Sequence, residues 1–223
     1  MVAFLDMDTD LLLQRIELAE RKVANRLRLA TEAMETANVE YAVIGAHAVA
    51  AWMEWRGSGG ERTTSNVDLM IRRQDLTAAT DALIEIGFVP YKSSSQFFID
   101  DPEMESRRIW NGLGLKFASE RVKPDNLYPH PDVDQVTVLN GRRVLSLEQL
   151  VVTKLIGWRT IDRVHLIDMA QVRLIEWNWC ERLPESLARR LEELFETEEI
   201  LDWVAIQEEI DQQVPEEQMR KNP

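Results

Sequence analysis

The sequence contains a single cysteine, Cys180, among its 223 residues. One cysteine forms no internal disulfide, which is typical of a protein that folds in a reducing compartment. No apolar run approaches the roughly 18 residues that a membrane-spanning helix needs. The first residues carry neither a basic stretch ahead of an apolar one nor a cleavage-site pattern, which are the signs of an export signal. We therefore expect a cytoplasmic protein with no membrane partner.

Basic residues are scarce relative to acidic ones. The chain has 26 Lys and Arg against 39 Asp and Glu, for a formal net charge of −13. A general nucleic-acid coat needs a basic surface, so this class is excluded, although a tRNA acceptor stays open. A hydrophobic fraction of 45% and seven Trp exclude a disordered chain. The sequence predicts a folded acidic protein and leaves its oligomeric state open.

Strand and helix patterns alternate through the first two thirds of the chain, and helical patterns follow. Helices are predicted at 11–37, 47–55, 76–86, 147–158, 162–177, 184–195 and 198–212. Strands are predicted at 40–44, 67–71, 88–91, 96–99, 108–110, 113–118, 135–138 and 142–145. Asn140-Gly141 predicts a two-residue hairpin between the last two strands.

This pattern predicts an α/β fold of the α+β kind, in which helices flank a mixed sheet. We divide the chain into an N-terminal helical part at 1–40 that packs on the core, an α/β core at 41–145, and a helical C-terminal region at 146–223.

Two short stretches carry the candidate chemistry: Ile44-Gly45-Ala46-His47 and Arg62-Thr63-Thr64-Ser65-Asn66-Val67-Asp68-Leu69. Polar residues at i and i+2 of a strand point to one face, where they can share a metal ion. A glycine turn ahead of a helix lets backbone N–H groups approach a phosphate. Gly45 can also simply end a strand, and His47 can simply start a helix.

In order and spacing, these stretches resemble the nucleotidyltransferase fold of the polymerase-β superfamily. The closest resemblance is to the bacterial nucleotidyltransferase-like proteins that include abortive-infection toxins. A later helix that carries Lys154, followed by Arg159 and Asp168, is similar to a helix of those proteins. The resemblance runs from about Tyr41 to Asp168.

The resemblance implies Mg²⁺-dependent transfer of a nucleoside monophosphate from a nucleoside triphosphate to a hydroxyl group of an unknown acceptor. It implies that Asp68 and Asn66 hold Mg²⁺ and act with Lys154 as the catalytic residues. The residues implied to contact the nucleotide phosphates are Gly45, Ala46, Arg62, Thr64 and Lys116. Lys154 can equally be a lysine whose stem covers apolar surface.

The chain departs from the family pattern at two positions. Asn66 stands where an aspartate is usual, and Lys116 lies on the strand where a third acid is expected. These departures predict weak metal affinity and low turnover. The candidate replacement acids are Asp100, Asp101, Glu120, Asp132 and Asp134, each of which can also be a solvated loop acid. The alternative is a catalytically inactive regulator of the same fold, a pseudoenzyme that binds a nucleotide or a protein partner as in a toxin–antitoxin-like pair.

Overall fold

The computed structural model of the chain describes residues 9–58, 64–91, 93–99, 112–121, 128–197 and 200. The predicted class is confirmed, because helices flank one mixed sheet. The helices are α1 (Thr9–Thr36), α2 (Gly45–Trp55), α3 (Leu76–Glu85), α4 (Leu147–Gly157), α5 (Thr160–Gln171) and α6 (Glu185–Phe195). The strands are β1 (Tyr41–Val43), β2 (Val67–Ile71), β3 (Phe88–Tyr91), β4 (Ser93–Ile99), β5 (Gly112–Phe117), β6 (Val136–Leu139) and β7 (Arg142–Leu145).

The sheet has seven strands in the order β3-β4-β5-β2-β1-β7-β6. Strand β2 pairs in parallel with β5 and antiparallel with β1, and β1 pairs in parallel with β7. Strands β1 and β2 are almost wholly apolar because both faces of these central strands are covered. Since β2 lies between β5 and β1, its one polar residue, Asp68, stands beside β5 and beside the turn that leads from β1 into α2.

Helix α1 buries one face against the sheet. Its buried side chains recur every three or four residues, as the helical period requires, at Val23, Leu27, Ala30 and Met34. This face packs on α3 and β2, and α3 in turn packs on β3 and β4.

The hairpin predicted at Asn140-Gly141 is confirmed. Strands β6 and β7 pair antiparallel on either side of it. Asn140 has a φ of 49° and Gly141 a φ of 73°, the left-handed conformations that a type I′ turn requires at both positions.

Helix α5 differs from its prediction. It spans Thr160–Gln171 rather than 162–177. Its start is fixed by Asp162, whose carboxylate accepts hydrogen bonds from the backbone N–H of Arg159 at 3.2 Å and from its guanidinium at 2.8 Å. It is followed by Arg173, whose φ of 56° is incompatible with a continued helix, and a separate 3-10 helix covers Trp177–Arg182.

Strand β4 begins three residues earlier than predicted, at Ser93. The strand predicted at 108–110 lies outside the described residues, as does all of the predicted helix at 198–212 except Ile200.

The described residues form two compact units. The first takes in the chain up to Ala51 and from Thr64 to Leu150, and it contains the whole sheet with α1 and α3. The second takes in 52–58 and the residues from Val151 onward, including α5 and α6. In the part of the chain that the structure describes, none of the helices is long and apolar enough to cross a membrane.

Candidate functional site

The candidate site lies on one face of the sheet, where β2 and β5 run in parallel. Asp68 is directly paired with Gly114, and the same register carries Asn66 to Gly112. Asn66 and Asp68 are two residues apart in an extended segment, so their side chains share a face. The Oδ1 atom of Asn66 lies 3.4 Å from the position that a Cβ at Gly112 would take. The sheet therefore brings together the two predicted metal-binding residues.

Two glycines make room for the carboxylate of Asp68. A Cβ at Gly114 would lie 2.7 Å from Oδ1 of Asp68, and a Cβ at Gly45 would lie 3.0 Å from Oδ2. Both distances are too short for ordinary contact between a carbon and an oxygen atom. Gly45 also has a φ of 71°, which favours glycine. The Asp68 carboxylate is thus held between Gly45 and Gly114.

Gly45 and Ala46 begin helix α2, at the turn that the sequence predicts. The N–H of Ile44 donates to the backbone carbonyl of Asp68 at 3.1 Å, which ties the turn to β2. The first N–H groups of a helix have no partner within it, and they carry the positive end of the helix dipole. The start of α2 is therefore suited to a negatively charged group, and the Asp68 carboxylate stands against it.

Lys116 lies on the same face of β5 as Gly114, two residues further along. Its side chain is exposed, and its Nζ atom lies 4.0 Å from the position that a Cβ at Gly114 would take. The ammonium group therefore extends back along the strand, over the space beside Asp68.

The segment that leads into β2 is anchored by a residue that sequence reasoning missed. Arg26 of α1 is only 2% exposed, and its guanidinium donates to the backbone carbonyl of Ser65 at 2.8 Å. Its burial could have been predicted from its spacing, because Arg26 comes three residues after Val23 and four before Ala30 and so lies on the apolar face of α1. Thr64 donates its hydroxyl to the backbone carbonyl of Asn66 at 3.3 Å. The predicted phosphate contact Arg62 lies outside the described residues.

His47 is a neutral group beside this anchor. Its Nε2 atom is buried, and no described residue forms a hydrogen bond with it. Burial lowers the pKa of His47 to about 4, and the positive charges of Arg142 and Arg26 act in the same direction. The imidazole is therefore uncharged at neutral pH.

The acids considered as replacements at Asp132 and Glu120 lie toward the other end of β2. Asp132 accepts a hydrogen bond from Arg72 at 2.9 Å, and Glu120 is paired with Arg73. Arg72 is four residues beyond Asp68, which corresponds to about 13 Å along an extended strand.

Asp132 is also held in its charged form. Burial raises the pKa of Asp132, but the hydrogen bonds from Arg72 and the Val133 N–H outweigh it and hold the pKa below its usual range. Asp134 is exposed in the turn before β6, and Asp100 and Asp101 lie outside the described residues.

The donor set at Asp68 and Asn66 fits one magnesium ion. Mg²⁺ is commonly held by one or two protein side chains, with water and substrate phosphates completing its shell. A two-metal site needs further carboxylates. Within the described residues, no group of three or more His, Cys, Asp and Glu could hold a metal. Asp68 and Asn66 would therefore suit one Mg²⁺, and the described residues offer no set of acids for two.

Lys154 belongs to the second unit, where it compensates a buried carboxylate. It is 3% exposed, and its Nζ atom donates to Asp162 at 3.2 Å and lies 2.7 Å from Nδ1 of His165. Asp162 is 2% exposed and also accepts a hydrogen bond from Arg159 at 2.8 Å. A Cβ at Gly157 would lie 2.6 Å from Asp162, so glycine at the end of α4 makes room for this carboxylate.

The charge of Asp162 is maintained by its neighbours. Burial raises the pKa of Asp162, but the hydrogen bond from Arg159 and the charge of Lys154 outweigh it, so that the pKa lies below the usual range. Sequence reasoning missed Asp162 as the partner of Lys154, because the two residues lie on different helices and meet only through the turn between α4 and α5.

The chain is similar to solved structures of the antibiotic-resistance factor ANT(2'')-Ia. A solution structure of the antibiotic-resistance factor ANT(2'')-Ia has 15% sequence identity and a TM-score of 0.43, covering 85% of this chain and 99% of that chain. A crystal structure of ANT(2'')-Ia in complex with adenylyl-2''-tobramycin has 15% identity and a TM-score of 0.39, covering 76% and 92%. No protein-family model and no curated protein matches the chain. The functional assignment therefore rests on the site itself.

Proposed function

We propose that this protein has a nucleotidyltransferase-like fold and transfers a nucleoside monophosphate from a nucleoside triphosphate to a hydroxyl group, slowly and with Mg²⁺. One observation carries the proposal. The carboxylate of Asp68 stands between Gly45 at the start of α2 and Gly114 of β5, with Asn66 on the same face. This arrangement combines a carboxylate for a divalent cation with a helix N-terminus for phosphates.

Each residue of the site has a role in this proposal. The N–H groups at Gly45 and Ala46 bind phosphate oxygens, and Thr64, Arg62 and Lys116 add further polar contacts. Asp68 and Asn66 would hold one Mg²⁺, which, when bound, neutralises charge on the phosphates. We do not include Lys154 among the catalytic residues, because its ammonium group is buried against Asp162 and His165.

Transfer is slow in this proposal because the site carries too little negative charge for its metal. The amide of Asn66 offers an oxygen ligand without the charge of a carboxylate, and Gly114 offers no side chain beside Asp68. The acceptor is a hydroxyl group on RNA, including tRNA, on a protein or on a small molecule.

The second candidate is a regulator that binds a nucleotide without transferring it. The lack of a three-acid group among the described residues favours it, as does the exposed Lys116 on the face of Asp68. In this case, the partner controlled by the nucleotide is a protein, as in a toxin–antitoxin-like pair.

Two substitutions of equal size and opposite charge change test the proposal. The wild type, Asn66→Asp and Asp68→Asn are incubated with each α-³²P-labelled nucleoside triphosphate, Mg²⁺, and pools of RNA, protein and small hydroxyl compounds. Nucleotide affinity is measured in parallel. We expect Asn66→Asp to raise Mg²⁺-dependent affinity and label transfer, and Asp68→Asn to lower both. Asp81→Asn is the control, because Asp81 is exposed on α3.

The outcomes separate the candidates. Nucleotide binding by Asn66→Asp without transfer to any pool would favour the regulator. Unchanged nucleotide affinity in Asp68→Asn would show that Asp68 does not form the site.

A further inference from the structure

We infer that the ammonium group of Lys116 takes the place of a second divalent cation, so that this site binds a triphosphate partly without metal. The inference rests on the proposed function and concerns the same face of the sheet. It follows from three features of β5: the glycine beside Asp68, the direction of the Lys116 side chain, and its exposure.

The first feature is the absence of space for an acid beside Asp68. A second divalent cation needs a further carboxylate on a neighbouring strand. The residue paired with Asp68 is Gly114, and any Cβ there would lie 2.7 Å from the Asp68 carboxylate. An acidic side chain at this position would displace Asp68, so β5 offers no carboxylate at the point nearest to it.

The second feature is the position of a positive charge at that point. The Nζ atom of Lys116 lies 4.0 Å from the Cβ position at Gly114, and Oδ1 of Asp68 lies 2.7 Å from the same position. The two charged groups therefore lie on the same face, and both are close to the unsubstituted Gly114. A lysine ammonium is a compact charge with three donors, and it binds phosphate oxygens as a metal ion would, without needing a carboxylate of its own.

The third feature is accessibility. Lys116 is exposed, Asp68 is half-buried, and Asn66 is exposed. A triphosphate that approaches the start of α2 can therefore meet the Lys116 ammonium on the β5 side, while one Mg²⁺ would be held by Asp68 and Asn66. The positive charge for the phosphates comes from two chemically different sources, of which only one is removed by a chelator.

The experiment measures binding of inorganic triphosphate to the full chain by calorimetry, once in EDTA and once in Mg²⁺. This probe removes any dependence on base preference. The variants are Lys116→Gln, Lys116→Arg and, as a control on α1 of the same unit, Lys22→Gln. We expect measurable binding by the wild type in EDTA, and a loss of about tenfold or more in Lys116→Gln, as for the removal of one charge-assisted hydrogen bond. Lys116→Arg and Lys22→Gln should stay close to the wild type.

A second expected result is that Mg²⁺ still strengthens binding to Lys116→Gln, because Asp68 and Asn66 are intact. Equal binding in EDTA by the wild type and Lys116→Gln would overturn the inference. Wild-type binding only with Mg²⁺ would also overturn it and leave the proposed function standing. No binding of triphosphate or of any nucleoside triphosphate under either condition would overturn both.

Discussion

Gly114 and Asp68 lie side by side in neighbouring parallel strands, and a side chain at Gly114 would come within 2.7 Å of a carboxylate oxygen of Asp68. The glycine of β5 and the acid of β2 therefore depend on each other. The same glycine that leaves space for Asp68 excludes the neighbouring carboxylate that a two-metal enzyme needs. In the proposed function, this pair leaves Asp68 as the one carboxylate at this point of the two strands.

The dependence of Asp68 on Gly114 is tested with a pair of glycine substitutions. We expect Gly114→Ala to lower the free energy of unfolding by about 1–3 kcal/mol, as for overpacking of a filled space, and to weaken nucleotide binding. The matched control is Gly112→Ala, because a Cβ there would lie 3.4 Å from Asn66, close to ordinary contact. Urea unfolding and calorimetric nucleotide binding measure both effects. Equal losses in the two variants would show that Asp68 moves aside without cost.

The half-buried His47 makes stability depend on pH in the mildly acidic range. Burial, with the charges of Arg142 and Arg26, lowers the pKa of His47 to about 4 in the folded protein, whereas the unfolded chain binds this proton near pH 6.5. Folding therefore loses stability as the pH falls from about 6.5 toward 4. The expected loss from this group between pH 7.5 and pH 5 is about 2 kcal/mol.

The measurement is urea unfolding of the wild type and His47→Gln at both pH values. Taking the difference between the two proteins removes the contribution of all other titrating groups. We expect the variant to lose less stability on acidification than the wild type. Equal losses of stability in the wild type and in His47→Gln would mean that His47 is protonated freely in the folded state.

The contribution of the buried Asp162 to stability also falls on acidification, but in a lower pH range than that of His47. The pKa of Asp162 is depressed in the folded state, so its contribution to stability is present above the ordinary pKa of an aspartate and is lost as the pH falls through the lower folded value. We expect Asp162→Asn to lower the free energy of unfolding by about 3 kcal/mol at pH 7, because it leaves Lys154 buried without a carboxylate partner. This decrease should be smaller at pH 3.

The exposed Asp81→Asn is again the control, and its unfolding should stay within about 0.5 kcal/mol of the wild type at both pH values. If Asp162→Asn lowers the free energy of unfolding by the same amount at pH 7 and pH 3, the charge of Asp162 does not stabilise the fold.

The parts of the fold that local signals determine could be predicted. The turn from β1 into α2 follows from Gly45, and the β6–β7 hairpin follows from Asn140-Gly141. Both depend on backbone conformations that few residues adopt. The predicted end of α5 was wrong. Arg173 is not a residue type that usually ends a helix, yet it adopts a left-handed conformation just after α5.

The parts of the site that depend on distant pairing could not be predicted. In the sequence, Gly114 looks like an ordinary strand glycine. Its contact with Asp68 depends on the pairing of β5 with β2, and the two strands are more than 40 residues apart in the chain. The place of Arg26 on the apolar face of α1 indicates burial, but its partner, the carbonyl of Ser65, is 39 residues away and could not be predicted. Asn66 and Asp68 could be placed on one face because their spacing is local, and Lys116 was named from the family resemblance, but the sequence could not show that its ammonium group extends over Gly114.

The most direct measurement of the central proposal is thermal unfolding of the wild type and Asp68→Ala with each of the four nucleoside triphosphates, with and without Mg²⁺. A ligand at 100 times its dissociation constant adds about 2.7 kcal/mol of stability, which is readily measured. We expect at least one nucleotide to raise the Tm of the wild type, more so with Mg²⁺, and the Mg²⁺-dependent part to be absent in Asp68→Ala. No shift of the wild type with any of the four would contradict nucleotide binding at this site.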